Sequence, residues 1–366
     1  MIFSPSSTAA RLVAWFMRRT APSGVRRVAP LKAAVASDVG VARDENQDRV
    51  AIVRGCDRAG STFVVAALAD GIGGMKSGAE CASLALGTFL EAVVSEAQHL
   101  IDPREWLWRA SMRANKAVYD IYRGDGGSTL VALLLSNGQR PMWLSIGDSR
   151  VYLAGDAKIL QLSRDDTLEG QLGRATGARR SDLLQFVGIG DALEPHVEPL
   201  PGDATGTLML TSDGVHFIEE NYLAKVVHFA PDVGVCAKRL TELAKMLGGP
   251  DNASVAAVGM GALSVDADPL LDFAFEVWDP FGELQVMFDR GDRRYPSTKP
   301  APHVEPRTDA VAIIPAPTSV PSAKAPKGKQ RKPKKGKKTT EEASAEQSEE
   351  PVDVPQLRIE FPNKTP

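Results

Sequence analysis

The fold prediction depends most on the stretch Asp70-Gly71-Ile72-Gly73-Gly74. It directly follows residues 62–69, a segment typical of a β-strand. That segment is short, rich in valine and alanine, and ends at this glycine cluster. A glycine after an aspartate lets a main-chain oxygen approach an ion, since no side chain crowds it. Asp70 and Gly71 are therefore candidate metal ligands, although most Asp-Gly pairs in proteins are solvated turns.

Four further stretches also place aspartate beside glycine or other small residues. They are Arg43-Asp44-Glu45-Asn46-Gln47-Asp48, Gly147-Asp148-Ser149-Arg150, Ser212-Asp213-Gly214 and Asp251-Asn252-Ala253-Ser254. Hard divalent ions such as Mg²⁺ and Mn²⁺ prefer carboxylate, carbonyl and water oxygens as ligands. Each motif alone is weak evidence. Together, delivered from the ends of several strands, they predict one metal site.

The order and residue types of these motifs resemble those of the metal-dependent protein serine/threonine phosphatases of the type-2C (PPM) family. The resemblance covers about residues 32–262 and includes the linking segments Gly127-Ser128-Thr129-Leu130 and Gln161-Leu162-Ser163-Arg164-Asp165. In bacterial members the first motif is Gly-x-x-Arg-x-x-Asn-Gln/Glu-Asp, and residues 40–48 match it at each position. The resemblance implies hydrolysis of phosphoserine and phosphothreonine in proteins.

The resemblance also implies roles for the metal ligands. Asp70 is expected to bridge two Mn²⁺ or Mg²⁺ ions, and the Gly71 carbonyl to coordinate one of them. Asp213 and Asp251 are expected to bind one ion directly, and Asp48 the other, in part through water. In that chemistry a water or hydroxide between the two ions attacks the phosphate ester.

Two more residues take roles from the resemblance. Arg43 lies where the family places its phosphate-binding arginine, and a guanidinium can hold two phosphate oxygens at once. Asp148 is expected to help bind a third ion at a weaker site. Alternatively, Asp148 only caps a turn. Family members often have Asp-His-Ser where this chain has Asp165-Asp166-Thr167, so no histidine general acid can be assigned.

The expected partners are a phosphorylated protein substrate and a Ser/Thr kinase of the same organism. Two other function classes stay open at this point. One is a catalytically silent type-2C domain that only binds phosphoproteins or partners. The other is a scaffold whose tail is the main functional element.

Composition narrows the function classes further. The chain has 366 residues, a formal net charge of −3 and a pI near 6.0, which argues against a whole-chain nucleic-acid binder. Its three cysteines are widely spaced and form no zinc motif, which favours a reducing compartment. No run of about 18 apolar residues indicates a membrane span. We therefore expect a cytoplasmic protein.

Segment patterns predict an α+β fold with antiparallel sheets, because strands occur in runs rather than alternating with helices. The family fold is a central β-sandwich flanked by helix pairs on both faces, an α-β-β-α arrangement. The predicted helices cover 78–100, 104–122 and 232–247, and the predicted strands cover 33–38, 49–54, 62–69, 128–136, 141–146, 150–154, 158–161, 206–212 and 253–260.

Five regions are expected along the chain. Residues 1–31 are predicted to be a disordered basic leader and 32–265 the catalytic domain. Residues 266–295 are predicted to form a β-hairpin appendage, because alternating segments flank a turn sequence. Residues 296–356 are too poor in bulky apolar residues to fold. The strand-like end, 357–366, is expected to pair with the hairpin or with the sheet edge of a protein partner. The alternative is an unstructured tail with a chance alternation.

Overall fold

The computed structural model describes residues 7–28, 31–100, 102–155, 158–168, 170, 183–202, 204–261 and 274–287. All of them belong to the first of two compact units, Met1–Arg293. The second unit is Arg294–Pro366. The tail at 296–356 and the strand-like end at 357–366 therefore lie outside the described residues, and both remain predictions.

Two antiparallel sheets form the centre of the domain. In chain order the strands are β1 (Ser23–Val28), β2 (Ala33–Asp38), β3 (Asp48–Cys56), β4 (Thr62–Asp70), β5 (Leu130–Ser136), β6 (Met142–Ile146), β7 (Arg150–Gly155), β8 (Lys158–Gln161), β9 (His196–Pro199), β10 (Thr207–Thr211), β11 (Ala253–Gly259), β12 (Ala274–Asp279) and β13 (Gly282–Met287). One sheet has the order β1-β2-β11-β10-β7-β8 and the other β13-β12-β3-β4-β5-β6-β9.

Helices cover the outer faces of both sheets. They are α1 (Thr8–Phe16), α2 (Gly78–Glu96), α3 (Pro103–Tyr122), α4 (Asp213–His216), α5 (Glu220–Phe229) and α6 (Val233–Met246). Helices α2 and α3 pack on the seven-stranded sheet, and α5 and α6 pack on the six-stranded sheet. The side chains of Asp102 and Asp232 cap α3 and α6 by accepting from main-chain N–H groups of the first turn. The predicted α-β-β-α architecture is confirmed.

Two hydrophobic layers hold the sandwich together. Successive side chains of a strand point to opposite faces of the sheet. On β3, Ile52 packs between the two sheets, whereas Val53 packs in the layer under the helices together with Phe89 and Trp106. Helix α2 is long and apolar enough to span a membrane, but 83% of its apolar window is buried inside the domain. Such burial is typical of a core helix.

The prediction of a disordered leader at 1–31 is wrong for most of that segment. Ser7 caps α1 through its side chain, and Leu12 and Phe16 are fully buried. Val13 lies against Gly87 of α2, where a β-carbon would collide with it. The segment is ordered because its short apolar face packs on α2, a partner that only the folded chain provides.

The hairpin is also more than the appendage predicted for 266–295. Strands β12 and β13 pair in the expected region, which confirms the hairpin itself. However, β12 also pairs with β3, so the hairpin extends the seven-stranded sheet. Phe275 and Val277 are fully buried in the core layer under the helices. The hairpin therefore belongs to the catalytic fold, because a two-stranded ribbon needs such a packing surface.

Candidate active site

The predicted metal ligands all lie at strand ends. Asp48 begins β3 and Asp70 ends β4, and the two residues face each other in the register of that pair. Asp148 lies in the connection from β6 to β7, Asp213 follows β10, and Asp251 precedes β11. The pairing of β10 with β7 and β11 brings these ends of the six-stranded sheet together. One end of the sandwich thus gathers carboxylates from both sheets.

The main chain of Asp70 is fixed by the linking segment that follows α3. The Ser128 hydroxyl and the Thr129 N–H both donate to the Asp70 carbonyl, at 2.8 Å each. The Asp70 N–H donates to the Thr129 hydroxyl at 3.1 Å, and that hydroxyl lies 2.7 Å from the Ser149 hydroxyl. The sequence marked Ser128 and Thr129 only as part of a motif, and their role as a clamp on Asp70 emerges from the structure.

Two glycines leave no room for a side chain at the site. A β-carbon on Gly71 would collide with the main chain of Gly78, and one on Gly214 would collide with the carbonyl of Asn252. The main chain at both positions is therefore packed against its neighbours as only glycine permits. This observation agrees with the expectation that the Gly71 carbonyl is a ligand, a role that remains a prediction.

Asp48 is buried in a network of hydroxyl groups. Its Oδ2 accepts a hydrogen bond from Ser212 at 2.8 Å, and Ser212 Oγ also accepts from the Ser254 N–H at 3.0 Å. Its Oδ1 is buried without a hydrogen-bond partner. Burial raises the pKa of Asp48 to about 7. A buried carboxylate oxygen with no partner is costly unless a cation or a proton compensates it.

Asn252 holds the loop that carries Arg43. Its side-chain oxygen accepts from the Gln47 N–H at 2.7 Å, and its amide donates to the carbonyls of Val39 and Glu45 at 2.8 and 2.9 Å. The main-chain N–H of Asn252 donates to the Asp251 carboxylate at 2.8 Å. The side chain, however, acts on the loop, which the sequence motif alone did not indicate.

Arg43 forms the cationic contact of the site. Its guanidinium donates to Asp251 Oδ2 at 2.6 Å, and both side chains remain partly open to solvent. A cavity of about 960 Å³ begins beside this pair and is lined by Asp148, Asp213 and Asp251. A cavity of this volume is in the range of ligand-binding clefts.

The carboxylates repel one another. Burial and the charges of Asp48 and Asp213 hold the pKa of Asp70 well above its usual value. Burial, together with Asp213 and Asp165, raises the pKa of Asp148 to about 7. In the part of the chain that the structure describes, no three histidine, cysteine or acidic side chains converge in the geometry of a formed metal site. The donor set fits hard divalent ions, because it consists of oxygen atoms with excess negative charge.

Comparisons with known proteins agree with this geometry. The family model described as protein phosphatase 2C matches residues 42–248, which is more than half of the chain.

The chain belongs to the protein phosphatase 2C family.

Bacterial type-2C phosphatases are among its relatives. PstP from Mycobacterium tuberculosis is 31% identical over 237 residues, which cover 62% of this chain and 44% of PstP. PhpP from Streptococcus pneumoniae is 27% identical over 240 residues, which cover 61% of this chain and 95% of PhpP. The predicted class, a metal-dependent protein serine/threonine phosphatase, is confirmed.

Solved structures show the same fold. MsPP from Mycobacterium smegmatis, in complex with cacodylate, is 29% identical with a TM-score of 0.52, covering 63% of this chain and 98% of MsPP. The catalytic domain of PstP, in complex with two manganese ions, is 27% identical with a TM-score of 0.51, covering 65% of this chain and 98% of that domain. Residues 8–28 and 274–287 lie outside the family match.

In this type-2C phosphatase, the stretch that departs from the family pattern supports the Asp148 loop. Asp166 Oδ2 accepts from the Gly147 N–H at 2.9 Å, and Asp166 Oδ1 lies 2.9 Å from His196 Nε2. Asp165 forms a forked ion pair with Arg150. These aspartates therefore position the loop, a role that the sequence comparison with Asp-His-Ser could not suggest.

Proposed function

We propose that Asp48, Asp70, the Gly71 carbonyl, Asp213 and Asp251 form the metal centre at which this phosphatase hydrolyses phosphoserine and phosphothreonine. The main support is that carboxylates from both sheets lie together at one end of the sandwich. The unpartnered buried oxygen of Asp48 and the raised pKa values support it, since both indicate missing positive charge.

The fitting cofactors are two Mn²⁺ or Mg²⁺ ions. Such ions, when bound, compensate the charge of the phosphoryl oxygens and lower the pKa of water toward about 7. Asp70 is the residue proposed to serve both ions, because it faces Asp48 across the strand pair and also interacts with Asp213. Asp148 is proposed to contribute to a third, weaker site at the cavity wall.

Arg43 is proposed to bind the substrate phosphate. A planar guanidinium can donate two parallel hydrogen bonds to phosphate oxygens. Its side chain already bonds to Asp251 and remains 43% exposed, so an entering phosphate can reach it. In this proposal Arg43 exchanges part of its contact with Asp251 for the phosphate, once metal ions compensate that carboxylate.

The proposed partners are proteins that a bacterial Ser/Thr kinase has phosphorylated. The phosphatase is proposed to act as the counterpart of that kinase in the cytoplasm. The support is the kinship with PstP and PhpP, which are named as protein phosphatases. The strand-like end at 357–366 is proposed to bind a protein partner. The support is the alternation of apolar and charged residues in Leu357-Arg358-Ile359-Glu360-Phe361.

Hydrolysis of a phosphothreonine peptide by the full chain tests this function. We expect turnover with added Mn²⁺, little with chelator, and recovery when excess Mn²⁺ is restored. A folded protein that binds the phosphopeptide but never releases phosphate would be a silent type-2C domain. A protein that neither binds nor hydrolyses it would leave only the scaffold function.

A further inference from the structure

Arg49 lies directly behind the proposed metal ligand Asp48. Neighbouring residues of a strand point to opposite faces. Asp48 points between the two sheets toward Ser212, whereas Arg49 points toward the helix layer, where it donates to the hydroxyl of Ser83 in α2 at 2.9 Å. Arg49 is thus placed to act on the main chain of this segment without touching the substrate cavity.

The guanidinium of Arg49 joins two main-chain segments. One Nη donates to the carbonyls of Asn46 and Asp48, at 2.8 and 2.7 Å. Its Nε donates to the carbonyl of Phe16, at 2.6 Å. Phe16 is the last residue of α1, where helical carbonyls lack partners and a cation is favourable. The same side chain therefore caps α1 and holds the loop that ends at Asp48.

Helix α1 is itself firmly anchored. Trp15 packs against Gly282 at the turn of the β12–β13 hairpin, and Arg18 stacks on the Trp15 ring at 3.7 Å from its centroid. Arg18 also donates to Asp279 Oδ1 at 2.8 Å. Helix α1 therefore contacts the hairpin at the edge of the seven-stranded sheet, and both lie outside the 42–248 family match.

We infer that Arg49 is a positioning residue. By bonding to the end of α1, which the hairpin holds in place, it fixes the main chain of Asn46 and Asp48 and so the first metal-binding loop. The inference rests on the proposed metal role of Asp48. It assigns a task in catalysis to segments that the family match does not include. Substituting a residue that hydrogen-bonds to a metal ligand typically changes the metal affinity by about 10- to 100-fold.

The test is Mn²⁺ binding by isothermal titration calorimetry on the full chain. We expect Arg49→Met to raise the Mn²⁺ dissociation constant by about 10-fold or more. Arg49→Lys should recover part of that loss, because an ammonium can replace some but not all of the four contacts. Hydrogen exchange at residues 46–48 should quicken in Arg49→Met without metal.

Arg54 offers a matched control on the same strand. It is a buried arginine that donates to Glu276 of the same hairpin at 2.8 Å, toward the other end of β3. Arg54→Met should lower the melting temperature at least as much as Arg49→Met, yet leave the Mn²⁺ dissociation constant within twofold. Equal effects of the two substitutions on Mn²⁺ binding would overturn the inference, since both would then act only through stability.

A second reference separates this inference from the proposed metal centre. Asp70→Asn should remove most Mn²⁺ binding in the same experiment. If it does and Arg49→Met changes nothing, only the positioning role is wrong. If Asp70→Asn also binds Mn²⁺ normally, the metal centre itself is misassigned, and the role of Arg49 is overturned with it.

Discussion

The two sheets each supply half of the aspartates of the acidic site, and the two halves differ in solvent exposure. The seven-stranded sheet supplies Asp48 and Asp70, and Asp48 is almost fully buried among hydroxyl groups. The six-stranded sheet supplies Asp213 and Asp251, which face the open cavity, and Asp251 already bonds to Arg43. Asp48 and Asp251 thus lie in different environments, the first closed to solvent and the second partly open. Both halves are expected to hold the ions, and the open half, which lines the cavity, is expected also to admit the substrate.

Replacing Asp70 should give the largest effect, because this residue is proposed to serve both ions. We expect Asp70→Asn to lower phosphopeptide turnover by at least about 1000-fold, since metal catalysis contributes several kcal/mol. The metal-free melting temperature should hold or rise, because burial of this carboxylate is unfavourable.

Asp57→Asn is the matched control for this substitution. Asp57 lies in the turn at the other end of the β3–β4 hairpin and accepts hydrogen bonds from local main-chain N–H groups. Its replacement should leave turnover nearly unchanged. A folded Asp70→Asn protein with full activity would show that Asp70 does not hold the metals.

Arg43 tests the open half, with a smaller effect. Arg43→Ala should raise KM by about 10- to 100-fold, the range of one or two charge-assisted hydrogen bonds, and lower kcat less. Steady-state kinetics on a phosphopeptide measure both constants. Arg109→Ala, an exposed arginine on α3, serves as the control. An unchanged KM with a collapsed kcat would move Arg43 from substrate binding to the chemical step.

The pH dependence of stability should report the carboxylates of the site whose pKa values are raised. The pKa of Asp48 is raised from 3.8 to about 7 in the folded, metal-free protein. Between these values the folded state holds more protons than the unfolded state, so this group lowers stability as pH rises through that window. Mn²⁺ requires the ionised carboxylate. The Mn²⁺-induced rise in melting temperature should therefore grow by several degrees from pH 6 to pH 8.

Differential scanning calorimetry at pH 6, 7 and 8, with and without Mn²⁺, measures this dependence. Asp48→Asn should reduce it, and the other carboxylates whose pKa values are raised, Asp70, Asp148 and Asp213, should keep part of it. A Mn²⁺-induced shift that is equal at pH 6 and pH 8 would contradict the assignment of buried, proton-holding carboxylates to the metals.

Removing residues 296–366 should have the smallest effect on chemistry. All the proposed ligands lie in the first compact unit, so hydrolysis of a short phosphopeptide should change less than about twofold. A pull-down with the full chain and with the truncated chain tests whether a native interaction is weakened. A large loss of peptide turnover would show that the site is not complete within the two sheets.

Much of the site could be predicted from sequence because its chemistry is local. An aspartate followed by glycine at a strand end, as in Asp70-Gly71, carries its own signal. The supporting hydroxyl groups carry none, since Ser212 reaches Asp48 from the other sheet across 164 residues of chain. Similarly, α1 is only nine residues long and interrupted by Arg11, so its order depends on α2 and Arg49.

Short elements on both sheets escape prediction from sequence for the same reason. Helix α5 and strand β9 were not predicted, because each is short and is held by its neighbours rather than by its own pattern. The hairpin was predicted from its alternation, but its pairing with β3 was not, since sequence alone does not determine which strands become neighbours.

A crystal structure of the full chain soaked in Mn²⁺, with anomalous scattering recorded for manganese, tests the central claim most directly. We predict two strong peaks about 3.5–4 Å apart, joined by the carboxylate of Asp70, with Asp48 on one side and Asp213 and Asp251 on the other. A single peak, or manganese bound away from Asp70, would contradict the two-metal centre.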